Sequence, residues 1–147
     1  MVAVSTSTAV EELIKGLNED LAGEYNAIIS YMTYSAKVRG PYRPQLVEFF
    51  QSEIPDEQTH AQFLADKIAS LGGEPTVEPR PVRQTDDPRE MLQFIYEAEK
   101  ETVENYKRRA EQAEKAGDIG LRTRLEDIIS DETTHRDEVK KILDGWR

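Results

Sequence analysis

The sequence predicts an all-α fold, a four-helix bundle made of two antiparallel helix pairs joined by a long crossover. Three observations carry this. Four segments show helical apolar periodicity, each is bounded by residues that start or stop a helix, and a proline-containing polar stretch separates the second from the third.

The first helix is expected over about residues 9 to 39. Thr8 and Glu11 stand in capping-box register, and Gly40-Pro41 ends the helix because proline cannot continue the hydrogen-bond ladder. Its apolar stripe is Val10, Leu13, Leu17, Leu21, Ile28 and Tyr31. The second is expected over about 44 to 71, with Pro44 suited to the first turn and Gly72-Gly73 free to take the left-handed conformation at the end. Its stripe is Leu46, Phe50, Leu64, Ile68 and Leu71. Pro55 lies inside it, so a kink is expected just before Glu57.

The third helix opens on Asp87-Pro88-Arg89-Glu90, a capping aspartate followed by a first-position proline and a returning glutamate, and stops at Gly117. Leu92, Ile95, Val103, Tyr106 and Ala110 form its stripe. The fourth runs from near Asp118 to near Gly145, with Leu121, Leu125, Ile128, Val139 and Ile142 as a bundle seam. Short links within each pair predict antiparallel hairpins. The middle link contains Pro75, Pro79 and Pro81. Its reach, at ~3.1 Å per extended residue, is roughly 50 Å, against about 42 Å for a helix of the second segment's length. It can therefore cross the whole bundle, as in the one-crossover bundles.

Composition bounds the chemistry. The 147 residues predict a single domain, residues 1–147. A formal charge of −10 argues against a nucleic-acid or anionic-membrane partner, and the short run Lys107-Arg108-Arg109 makes no basic patch. The absence of cysteine excludes disulfides, iron–sulfur clusters and thiolate zinc, so any metal must be held by nitrogen and oxygen. The start of the chain lacks the pattern of a signal peptide, and no long apolar run is present, so a soluble, cytoplasmic protein is expected.

Each apolar stripe is interrupted by polar residues where core residues belong. Glu24 falls between Leu21 and Ile28, Glu57 and His60 between Phe50 and Leu64, Glu99 between Ile95 and Val103, and Glu132 and His135 between Ile128 and Val139. All lie near the midpoints of their helices, so they meet in one layer whichever way each helix runs. A buried glutamate is costly unless it is paired or metal-bound, and four together call for a counter-charge. The only two histidines each follow a glutamate by three residues, which puts both side chains on one helical face. Two divalent ions would balance four carboxylates. Oxygen donors with imidazole suit iron or manganese, zinc can substitute without redox chemistry, and iron is the favoured reading.

With a lone glutamate on the first helix, Glu57-Gln58-Thr59-His60 on the second, Glu99 on the third and Glu132-Thr133-Thr134-His135 on the fourth, the chain resembles the ferritin-like di-iron family, bacterioferritin and bacterial ferritin above all. The segments Asn18 to Glu24 and Asp131 to His135 are similar to the family's first and last ligand segments. The resemblance implies a ferroxidase that binds two iron ions per subunit and oxidises Fe(II) with O₂ or peroxide. Glu57 and Glu132 would bridge the ions, with Glu24 and His60, and Glu99 and His135, as terminal ligands. It also implies a dimer-based homo-oligomer, and iron storage if the subunits close into a shell. Tyr31, two turns after Glu24, matches a tyrosine that ferritins keep near the iron; a core tyrosine bonded to a ligand carboxylate is the equal alternative.

Three departures narrow the class. Gln58 stands where bacterioferritin has its haem-ligating methionine, so haem is not expected. Thr102 stands where rubrerythrin-like peroxidases carry an extra glutamate, although a non-cage di-iron or di-manganese peroxidase or oxidase of that class remains the alternative function. The chain ends soon after His135, without room for the short fifth helix of the large cages, and assembly size stays open. Glu53 and Asp56 are read as solvated or hydrogen-bonded rather than as an iron access route. Glu97, Glu101 and Glu104 are read as exposed charges, and Trp146 as either a subunit contact or a cap on the last turn.

Overall fold

The computed structural model describes residues 2–146, with side chains from Thr8 onward. Its helices are α1 (Val2–Lys37), α2 (Arg43–Ser70), α3 (Pro88–Lys115) and α4 (Ile119–Asp144), and no strand is present among the described residues.

The helix boundaries follow local chemistry. Asp87 caps α3 by accepting from Arg89 N at 3.0 Å, and Asp118 caps α4 by accepting from Leu121 N at 3.0 Å. Gly40, Gly72 and Gly117 all take positive φ after their helices, which leaves the chain free to reverse where a side chain would be strained. One boundary differs from expectation: α1 begins at Val2, so Thr8 lies within the helix rather than capping it. No glycine or proline interrupts the residues before Thr8, and a ladder nucleated by the apolar turns that follow propagates back through them. α2 runs on past Pro55 as one continuous helix.

Contacts fix the topology. α1 packs along α2, α3 along α4, and α1 along α3. Asp20 meets Arg109, Glu24 meets Tyr106 and Tyr31 meets Glu99, so numbers rising along α1 fall along α3 and the two run antiparallel. The link between α2 and α3 lies along the side of α1 as the predicted crossover. Asn18 bonds Glu74 O and Thr76 N, Arg80 N bonds Ala22 O, Asn26 bonds Arg80 O and Pro81 O, and Tyr34 bonds Arg83 O. These bonds satisfy backbone groups that a structureless connection would leave to water.

The apolar core comes in two clusters. One holds Leu13, Leu17, Leu21, Leu64, Ile68, Leu121, Leu125 and Ile128; the other holds Tyr34, Val38, Phe50, Met91, Leu92 and Val139. Between them, at mid-helix, lies a layer of buried polar side chains. No helix among the described residues is long and apolar enough to cross a membrane.

Candidate metal centre

That layer contains the six residues that interrupt the apolar stripes. Glu24 from α1, Glu57 and His60 from α2, Glu99 from α3, and Glu132 and His135 from α4 are all between 1% and 7% exposed. They form two overlapping groups, Glu24, Glu57, His60 and Glu132, and Glu57, Glu99, Glu132 and His135. Within each group one ligating atom per residue lies within 4.8 Å of all the others. Glu57 and Glu132 belong to both.

The donors point at one another without satisfying one another. Glu24 Oε2, Glu57 Oε1, His60 Nδ1, Glu99 Oε2, both carboxylate oxygens of Glu132 and His135 Nδ1 are buried and make no hydrogen bond. Unpaired buried polar atoms are rare and cost about 1–3 kcal/mol each, so this concentration requires a partner. Oxygen and imidazole nitrogen in two carboxylate-linked groups fit a pair of divalent metal ions.

The imidazoles are oriented for that role. Each turns Nδ1 inward, with His60 Nδ1 3.0 Å from Glu132 Oε1 and His135 Nδ1 3.4 Å from Glu57 Oε1. Each turns Nε2 outward to an aspartate on the opposite helix, His60 to Asp131 at 3.1 Å and His135 to Asp56 at 3.2 Å. A carboxylate accepting from Nε2–H fixes the tautomer that leaves Nδ1 free to ligate. His135 Nε2 also lies 2.8 Å from Glu53 Oε2.

Two buried tyrosines hold the outer carboxylates, each across to the neighbouring helix. Tyr31 of α1 donates to Glu99 Oε1 at 3.0 Å, and Tyr106 of α3 donates to Glu24 Oε1 at 2.6 Å. Each glutamate is thereby fixed through one oxygen and presents the other to the centre.

The charges are unbalanced without a cation. Burial pushes Glu57, Glu99 and Glu132 well above the usual carboxylate range, and neighbouring carboxylates push the same way, Glu24 and Glu99 on Glu57, Glu132 on Glu99, and Glu57 on Glu132. Burial alone would lower the imidazoles. Bonding to Glu24 and Asp131 instead raises His60, while Glu53, Glu132 and Glu99 raise His135 to about 9.

All six sequence-predicted ligands come together, and Tyr31 sits against Glu99 rather than against the glutamate of its own helix. Glu97 and Glu101 lie at the surface facing Arg83 and Arg80, and Glu104 faces Lys107. Trp146 packs edge-on against Tyr42, with ring centroids 5.1 Å apart. The sequence reading assigned no individual role to Asp131, Tyr106 or the buried pair Asp20–Arg109, whose Nε–Oδ2 distance is 2.8 Å, beyond placing Tyr106 in an apolar stripe and Asp131 beside a candidate ligand. A signal for the first two was present: Asp-Glu-x-Thr-His occurs at 56–60 and again at 131–135, and a tyrosine follows both Glu24 and Glu99 by seven residues.

The sequence model of the family described as the ferritin-like domain matches residues 14–147. A bacterioferritin of Streptomyces coelicolor is 31% identical over 134 residues, covering 90% of this chain and 80% of its own. A nutrient stress-induced DNA-binding protein of Nostoc sp. is 30% identical over 125 residues, covering 78% of this chain and 68% of its own. Among solved structures, one of ferritin-like, diiron-carboxylate proteins from Bacillus anthracis is 52% identical with a TM-score of 0.90, covering 92% of this chain and 97% of that one.

Proposed function

This chain belongs to the ferritin-like domain family, and from that premise we propose that it is a ferroxidase, oxidising Fe(II) to Fe(III) with O₂ or peroxide for iron storage and detoxification. One observation carries the reading: seven buried donor atoms without hydrogen-bond partners converge in two groups that share Glu57 and Glu132.

Glu24 and His60 would hold one iron, Glu99 and His135 the other, and Glu57 and Glu132 would serve both. Two bound Fe(II) supply two electrons. O₂ accepts both with two protons to give H₂O₂, or H₂O₂ accepts both with two protons to give water. Taking the electrons as a pair avoids a free one-electron product. The protein's part is positional and electrostatic. Asp131 and Asp56 keep the imidazoles turned, Tyr106 and Tyr31 keep the outer carboxylates turned, and the two apolar clusters exclude bulk water from above and below. The buried carboxyls and His135 give up protons as cations arrive, which supplies acid where the reduced oxidant forms.

The acidic chain favours cation attraction over DNA binding. Storage also requires subunits that enclose a space; a large assembly by sedimentation supports it, and a dimer supports the non-cage oxidase reading. The site itself is tested by Glu57→Ala, which is expected to abolish rapid Fe(II) oxidation while far-ultraviolet circular dichroism stays helical. A fast phase retained at two irons per chain would sink the assignment.

A further inference from the structure

The site is built twice. Glu24, Tyr31, Asp56, Glu57 and His60 recur 75 residues later as Glu99, Tyr106, Asp131, Glu132 and His135. Their contacts recur with them: Tyr106 bonds Glu24 as Tyr31 bonds Glu99, and Asp131 bonds His60 as Asp56 bonds His135. The two halves of the centre are thus related by a pseudo-two-fold that exchanges α1 with α3 and α2 with α4.

Position 53 breaks this relation. The residue there is a glutamate, whereas its counterpart 75 residues on is Ile128, fully buried in the apolar core. Glu53 has a side chain only 14% exposed and brings Oε2 to 2.8 Å from His135 Nε2. His135 therefore turns its outer nitrogen to two carboxylates, Asp56 and Glu53, while among the described residues His60 turns its own to Asp131 alone. Asp56 and Asp131 are similarly exposed, 59% and 52%, so solvent screens the two aspartates alike and does not screen Glu53 to the same degree.

We propose that Glu53 makes the two metal positions unequal, so that a divalent cation is held more tightly between Glu99 and His135 than between Glu24 and His60. Glu53 Oε2 is buried without a hydrogen bond of its own, and its charge beside Nε2–H makes the opposite ring nitrogen a stronger donor. The added negative charge, poorly screened, also attracts a doubly charged ion more than the isoleucine on the other side does. The first Fe(II) would settle on the His135 side and the second would complete the pair on the His60 side. This order rests on the two-metal reading of the site.

The test is a calorimetric titration of the metal-free chain with Co(II), which remains divalent and needs no turnover. The unaltered protein is expected to take two Co(II) per chain in two resolved steps. Glu53→Gln should weaken the tighter step by about tenfold, the low end of what outer partners of metal ligands contribute, and leave the weaker step in place. Glu53→Ile, which installs the counterpart residue, should bring the two steps together. Asp131→Asn, acting on the other side, should instead weaken the weaker step and widen the gap. Two equal steps in the unaltered protein, or Glu53→Gln and Glu53→Ile both leaving the steps where they were, overturns the proposal. Fewer than two Co(II) per chain overturns the two-metal reading instead.

Discussion

Removing the metal should leave a protein whose stability falls as pH rises across neutrality. His135 sits among Glu53, Glu132 and Glu99, which lift it from 6.5 to about 9 when no cation is present. A histidine with a raised folded-state value contributes stability that is complete below 6.5 and disappears as pH passes 9. Glu57, Glu99 and Glu132 act in the same direction, because their folded-state values are raised and the folded protein holds protons that the unfolded chain has released. For His135 alone the difference, discounted for partial solvent screening, amounts to about 2–3 kcal/mol, which for a chain of this size is roughly 4–12 °C in Tm. Metal-loaded protein has already given up these protons, so its Tm should be nearly flat over the same range. The assay is thermal unfolding by circular dichroism from pH 6 to 9.5, with and without Co(II), together with a weakly buffered titration at pH 7 that counts protons released on loading. An apo Tm that stays level or rises with pH, or loading that releases no protons, would refute the electrostatic account of the site.

Two further outcomes follow from the surroundings of the candidate ligands. Tyr31→Phe and Tyr106→Phe each remove the bond that turns an outer glutamate, and each should lower Co(II) affinity by about tenfold at its own position, measured in the same titration; unchanged affinity in both would mean the tyrosines serve packing alone. Gly16→Ala should destabilise the protein by about 2–4 kcal/mol in urea unfolding, because a methyl group there overlaps the Arg109 guanidinium, Nε lying only 2.6 Å away, and displaces it from buried Asp20. In an Asp20→Asn, Arg109→Ala background the same substitution should stabilise by about 1 kcal/mol through helix propensity, and an unchanged sign would count against this packing.

The six candidate ligands were legible as one buried polar layer because a buried charge disrupts an apolar stripe wherever it falls, and the stripes themselves followed from period and punctuation. The same rule, applied further, reaches residues that were missed. Asp20 stands three residues after Leu17 and four before Glu24, and Arg109 three after Tyr106 and four before Ala113, so both occupy core positions of their helices. Arg109 was hidden by its neighbours Lys107 and Arg108, which are exposed and give the run the look of a solvated face. Pairings across helices were not legible at all. Whether Tyr31 reaches Glu24 or Glu99 depends on how α1 and α3 are rotated and staggered, which no periodicity within one helix specifies. The start of α1 was misjudged because a capping box is a local signal, while a helix with no breaker in its path extends by propagation.

The arrangement of the helices explains why a stable bundle carries so costly a layer. α1 packs against α2, α3 against α4, and α1 against α3. The α1–α3 side is further tied by the Asp20–Arg109 pair and both tyrosine bonds. The remaining side is different. There α2 and α4 face each other at mid-helix through His60 with Asp131 and Glu132, and through His135 with Asp56, Glu53 and Glu57, an acidic set whose repulsion protons or metal ions relieve, while nearer one end Lys67 meets Asp118 and Arg124 lies over Phe63. Metal would therefore tie the mid-helix layer of this side as the tyrosine bonds and the Asp20–Arg109 pair tie the α1–α3 side. The other three sides hold the donors close together for an arriving ion. Binding would then couple chiefly to local order at that layer, and metal would be gained and lost without global unfolding.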